Sequence, residues 1–177
     1  DLLNASIFFD GRALAGASGL AGQLRSFVGR KAADNPRFVR QMAVNGLTHA
    51  APLNWRGQLA TTALDGHDTI DLKLQGTAIL VDVARVYALA QGVTATGTRE
   101  RFEAIGPRLG VPAREHQAWI TGFEFLQMLR LRVQLDGTSD AAHPNRIAVD
   151  KLDDIDRRIL RETFRMVRSL QQRLQLD

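Results

Sequence analysis

Cysteine is absent from these 177 residues. That excludes a disulfide framework and a thiolate metal site, and it fits a reducing, cytoplasmic compartment. Aromatic residues make up only 6% of the chain, so aliphatic side chains must build the core. No apolar run is long enough to cross a membrane, and no signal peptide is visible. Lysine is nearly missing as well. Lys31, Lys73 and Lys151 are its only occurrences, and every other basic residue is Arg. The histidines His49, His67, His116 and His143 have no partner three or four residues on, which argues against a histidine metal pair. There is no Gly-x-Ser-x-Gly, no P-loop and no Rossmann fingerprint. With no complete catalytic constellation, the chain is expected to be inert as an enzyme by itself.

What is present suits one domain of ordinary core size, with room for a small appendage: 45% of the residues are hydrophobic. The formal net charge of +4 and a pI near 10.3 invite a nucleic-acid partner. The pattern argues against one. Lys+Arg number 23 against 19 Asp+Glu, the signs are mixed, and no basic block or aromatic-basic interleaving occurs.

The periodicities predict a mainly α fold, a helical bundle with a short β-hairpin and an N-terminal strand. The strand covers 5–9 and ends in Asp10-Gly11-Arg12. A helix from Ser18 or Gly19 should bury Leu20, Leu24, Phe27 and Val28. Asn35-Pro36 is an N-cap followed by a first-turn proline, opening a second helix to Leu47. Asp65-Gly66 is a hairpin turn between strands over 59–64 and 69–74. Helices are expected over 77–90, closed by Gly92, and from a Thr98 cap to Gly110. A long helix over 112–135 is apolar almost all round. A polar loop over 137–146 follows, then a helix over 150–174 with Ile155, Ile159, Met166, Leu170 and Leu174 as its buried stripe.

Three groups of residues carry chemistry. On the expected strand, Asp71 and Lys73 share the polar face before Gly76, and Arg85, Thr98 and Arg101 follow at helix positions. These read either as a structural ion-pair network or as contacts to an anionic ligand, with Asp71 orienting Lys73. Lys73 is conspicuous in a chain that otherwise uses Arg. Asp10 at a strand end suits a metal ligand, or else pairs with Arg12 or caps the next turn. Arg130 with Gln134 lies on the apolar helix. It either bridges to Asp71 or Asp82 or binds an anion.

In order along the chain come Ile7-Phe8-Phe9-Asp10-Gly11-Arg12 with Gly16, and Ile70-Asp71-Leu72-Lys73 with Gly76. Then come Ala84-Arg85-Val86-Tyr87-Ala88-Leu89, Gly92, Thr98 with Arg101, and Arg130-Leu131-Arg132-Val133-Gln134. Together they resemble the C-terminal substrate-binding domain of the DUF294 nucleotidyltransferase family. The resemblance covers nearly the whole chain. It departs from the family at Gly16-Ala17, where Gly-Asp is usual, and at Val133, where His is frequent.

The resemblance implies several expectations. Residues 1–17 would be the last strand and junction of a preceding nucleotidyltransferase domain, and 18–177 the helical substrate-binding domain. The chain would be a C-terminal piece lacking the catalytic core. Asp10 would be the third carboxylate of a Mg²⁺ site completed upstream. Partners would be a nucleoside triphosphate, an unknown acceptor, and CBS or cyclic-nucleotide-binding domains in the same chain, in signal transduction. The bundle would position substrate through Asp71, Lys73, Arg85, Thr98, Arg101 and Arg130. The alternative is a regulatory or protein-interaction bundle with no ligand of its own. Whether Lys73, Arg85 and Arg101 reach an open cleft or lie buried against acids separates the two.

Overall fold

The computed structural model describes residues 8–136 and 142–176. Among them the protein is mainly α. The helices are α1 (Ser18–Ala33), α2 (Pro36–Gly46), α3 (Ala78–Ala90), α4 (Thr98–Arg108), α5 (Ala113–Leu135) and α6 (Asp154–Leu176). A small antiparallel sheet has the order β1 (Thr62–Leu64), β2 (His67–Asp71), β3 (Arg146–Ala148). The chain divides into two compact units. One comprises the residues through Thr48 with Val81–His116, the other His49–Leu80 with Gln117–Asp177.

In the first unit, α3 supplies most of the core: Val83, Ala84, Val86, Ala88 and Leu89 are buried, as are Phe102 and Ile105 of α4. Asn35 caps α2 as expected, its Oδ1 accepting the Phe38 N–H at 3.2 Å. At the other end of α2, a Cβ on Gly46 would stand 3.1 Å from Asp82 Cβ, so the missing side chain allows a close approach to α3. Helix α3 ends where Gly92 adopts φ 63°. The Gly92 and Val93 N–H groups then reach the carbonyls of Leu89 and Ala88.

Three expectations change here. Of the strand predicted over 5–9, residues 5–7 lie outside the described residues, and Phe8 and Phe9 are helical. The N-cap of α4 is Gly97, and Thr98 is its first helical residue. Glu100 Oε2 accepts the Gly97 N–H at 3.3 Å, the half of a capping box that needs no N-cap side chain. Of the stripe predicted to be buried, helix α1 exposes Leu20 (67%), Leu24 and Phe27 (52%) and half-buries Val28. Its one buried residue among those described is Ala32, and a Cβ added at Gly22 or Gly29 would meet nothing within 4 Å, so this face is not closely packed.

In the second unit, Asp65 and Gly66 both take positive φ, 51° and 78°, the geometry a two-residue hairpin turn requires. Thr62 pairs with Thr69 and Leu64 with His67. On the other edge of β2, Thr69 faces Ala148 and Asp71 faces Arg146. This third strand begins at the end of the predicted polar loop. At three residues it is too short to declare an alternation.

Strand β2 stops at Asp71, not at Leu74 as predicted. The chain turns into a π-helical segment, Lys73–Thr77, in which the Thr77 N–H reaches the Leu72 carbonyl at 3.0 Å. A Cβ on Gly76 would lie 3.1 Å from Leu126 Cδ1 and 3.3 Å from Phe164 Cε1, so the missing side chain lets this turn sit close on α5 and α6. Helix α6 buries Leu160, Phe164, Val167, Leu170 and Leu174, while Ile155 is 72% exposed. Its buried face is thus rotated from the predicted one, keeping Leu170 and Leu174. On α5, Met128 and Leu131 are exposed, so that helix is one-sided and not enclosed.

Candidate anion-binding sites

The first unit brings together Asp10, Arg85 and Arg101. Arg85 Nη2 stands 2.6 Å from Asp10 Oδ2, and Arg101 Nη2 stands 2.7 Å from Asp10 Oδ1. Each arginine is also held from behind. Arg85 Nη1 pairs with Asp82 Oδ1 at 2.5 Å, one helical turn earlier on α3. Arg101 donates from Nε to the Ala95 carbonyl at 2.9 Å and from Nη2 to the Phe9 carbonyl at 2.9 Å. Both arginines are buried, at 7% and 2% exposure. Thr98 lies in the same unit but makes no hydrogen bond to this cluster among the described residues.

The electrostatics follow from this geometry. Burial opposes ionisation of Asp10, but the bonds and charges of Arg85 and then Arg101 outweigh it and hold the carboxyl below its ordinary value. Burial likewise pulls Arg85 down, and Asp10 with Asp82 overcomes it, leaving Arg85 raised. For Arg101 burial prevails and the value is lowered, because Asp10 is shared and the like charge of Arg85 is close. Both guanidinium groups stay charged near neutral pH. The pair Asp82–Arg85 was legible from its spacing of three. Nothing in the sequence announced that Asp10 would meet both arginines.

The second unit assembles a different network around the π-helical turn. Asp71 Oδ1 accepts the N–H groups of Lys73 at 2.9 Å and Leu74 at 2.8 Å. Asp71 therefore caps the turn and is not paired with the Lys73 ammonium. Lys73 is exposed, and among the described residues no carboxylate lies within ion-pair distance of it.

Arg130 is half-buried on α5 and reaches the same turn. Its Nη1 donates to Thr77 Oγ1 at 3.2 Å and to Gln127 Oε1 at 2.8 Å. Its Nε and Nη2 both donate to Asn145 Oδ1, at 3.1 and 2.9 Å. Every one of these acceptors is neutral. Neither Asp71 nor Asp82 is a partner, and Gln134 is exposed. Among the described residues four of the five guanidinium donors are used, all by neutral acceptors, leaving one N–H on Nη2. Sequence reasoning missed Thr77, Gln127 and Asn145. Only Gln127 has a helical spacing that could have suggested it.

A cleft of about 220 Å³ in this unit is lined by Arg132, Arg146 and Lys151 together with Asp136, Asp153 and Asp156. The balance of signs gives it no preference for an anion or a cation. Among the described residues no three His, Cys, Asp or Glu side chains gather around a metal position. Both oxygens of Asp10 are taken by guanidinium donors, so a Mg²⁺ ion would need ligands beyond these residues. No helix is long and apolar enough to cross a membrane among the residues described.

Residues 36–177 match the family DUF294_C, described as "Putative nucleotidyltransferase substrate binding domain". No curated protein and no solved structure matches the chain. The family match takes in Asp71, Lys73, Arg85, Thr98, Arg101 and Arg130, and covers far more than half of the residues, so the chain belongs to this family of nucleotidyltransferase substrate-binding domains.

Proposed function

We propose that this domain holds an anionic group of the substrate during nucleotidyl transfer, and that Arg130 is its principal contact, with Lys73 as a second. The observation that carries this is that every partner of Arg130 among the described residues is neutral. A half-buried guanidinium loses hydration and normally recovers it from a carboxylate. Here Asn145, Thr77 and Gln127 orient the group without cancelling its charge. An incoming carboxylate or phosphoryl oxygen would supply the missing counter-charge through a charge-assisted hydrogen bond. Lys73 is a solvated, mobile ammonium at the same π-helical turn that provides Thr77, so it can meet such a group without displacing a partner.

A catalytic domain would then supply the chemistry, binding Mg²⁺ and the nucleoside triphosphate while this domain positions the acceptor or the nucleotide. Catalysis of that kind is mainly positioning and charge neutralisation. Regulation by CBS or cyclic-nucleotide domains, and a place in signal transduction, rest on the resemblance described above. The lack of cysteine supports a cytoplasmic setting. Arg85 and Arg101 are engaged by Asp10 and take no part in this contact to the substrate.

The test is a titration of nucleoside triphosphates and inorganic phosphate into the chain and its Arg130→Lys and Arg130→Gln variants. Arg130→Lys keeps the charge but loses the planar fork, and binding should weaken at least tenfold in both variants. Unchanged affinity in Arg130→Gln would remove Arg130 from the site.

A further inference from the structure

Arg85 and Arg101 point their donors at one position, and Asp10 fills that position from an N-terminal segment distant in the chain. We infer that this pair is a binding site for a tetrahedral oxyanion, a phosphoryl or sulfate group, and that the Asp10 carboxylate occupies it as a built-in competitor. The inference is independent of the role given to Arg130.

The site is organised without Asp10. Asp82 holds Arg85 Nη1 and the Ala95 carbonyl holds Arg101 Nε, which leaves Arg85 Nε and Nη2 and Arg101 Nη2 aimed at Asp10. Three donors on two oxygens is the arrangement that recognises planar carboxylates and phosphoryl groups alike. Both arginines are more than nine-tenths buried, whereas the Asp10 side chain is 38% exposed. The cations are therefore built into the unit, and the anion enters from its edge. Behind them lies a cavity of only about 20 Å³, lined by Arg25, Arg85 and Arg101 with the apolar Phe8, Phe9 and Leu89 and by no carboxylate. A volume of that size holds about one water. That is too small for a phosphoryl group, which would instead take the position Asp10 now holds.

Once Asp10 departs, two buried cations face a site with Asp82 as the one bonded carboxylate, and that charge is already committed to Arg85. An unpaired buried cation is costly, so an external oxyanion should be drawn in. Asp10 is tethered to the chain and present at high effective concentration, so in the intact protein it wins against dilute phosphate. The same competition makes the site switchable: whatever pulls Asp10 away opens it.

The experiment compares the whole chain with its Asp10→Ala variant, and with Asp10→Ala combined with Arg101→Gln. Inorganic phosphate is titrated calorimetrically at constant ionic strength. Asp10→Ala should bind phosphate saturably and at least tenfold more tightly than the parent, and the double variant should lose that gain. A second titration with a nucleoside triphosphate separates the sources. Tighter binding than phosphate assigns a nucleotide, and equal binding assigns the free oxyanion. Equal phosphate responses in Asp10→Ala and the parent overturn the inference, as does a gain that survives Arg101→Gln. If Asp10→Ala does not fold, Asp10→Ser, which is neutral, shorter than aspartate and keeps one acceptor, is judged by the same criterion.

Discussion

Arg101 Nη2 and Asp10 Oδ1 stand 2.7 Å apart, joining the beginning of the described chain to helix α4 through a guanidinium that is only 3% exposed. Removing one partner of such a pair leaves a buried charge uncompensated. Asp10→Ala is expected to cost about 2–3 kcal/mol, less than the ~3–5 kcal/mol of a wholly buried pair because solvent reaches Asp10. Urea unfolding of parent and variant in phosphate-free buffer checks the value. A loss below about 0.5 kcal/mol would mean that the pair contributes nothing beyond a surface contact.

The same contact predicts an acid-side pH dependence. The Asp10 carboxyl titrates below its ordinary value in the folded protein, through Arg85 and Arg101 acting against burial. A depressed carboxyl contributes stability that is complete above its unfolded value of about 3.9 and is lost as pH falls through the lower folded value. The difference in Tm between the parent and Asp10→Asn should therefore be constant above about pH 5 and shrink below about pH 4. A gap that widens on acidification would contradict the sign.

Lys73→Ala should leave stability within about 0.5 kcal/mol of the parent, because the side chain is exposed and bears no structural ion pair. Under the proposed function it should impair ligand binding, or transfer when the domain is joined to a nucleotidyltransferase domain. Calorimetric unfolding and an activity assay on one preparation decide the matter. A mutant that melts several degrees lower, with activity following the folded fraction, would make Lys73 a structural residue.

Two glycines of the second unit should respond to alanine in the opposite order to their nearest distances. At Gly122 the added Cβ falls 2.4 Å from Met166 Cε, the free end of a flexible side chain, and 3.3 Å from Thr163 Cγ2. At Gly76 it falls 3.1 Å from Leu126 Cδ1 and 3.3 Å from Phe164 Cε1, and both of those residues are fully buried. Met166 can swing aside, whereas the Leu126 and Phe164 pair cannot yield without disturbing the core. Gly76→Ala should cost about 1–3 kcal/mol and Gly122→Ala less. Thermal unfolding of the two variants should rank them so, and the reverse order would show that α5 and α6 pack more rigidly at Met166 than at the π-helical turn.

The sequence alone determined helices α1 to α6 and most of their ends, because those depend on local chemistry. Asn35-Pro36 opens α2, Asp65-Gly66 folds the hairpin and Gly92 closes α3, each through the few dihedrals and hydrogen bonds of its own neighbourhood. The family resemblance was legible for the same reason, as an ordered series of short motifs. Tertiary structure decided which faces are buried. On α1 and α6 several faces were compatible with a 3.6-residue period, and the choice fell to whichever surface the neighbouring elements offered. It also decided the partners of the charged residues. Lys73 left the strand because Asp71 turned its carboxylate back on the main chain. Arg130 found Asn145, and Asp10 found Arg85 and Arg101, across separations at which no periodicity operates. Long flexible side chains with one charge have many acceptors within reach in the unfolded chain, and only the packed backbone selects among them.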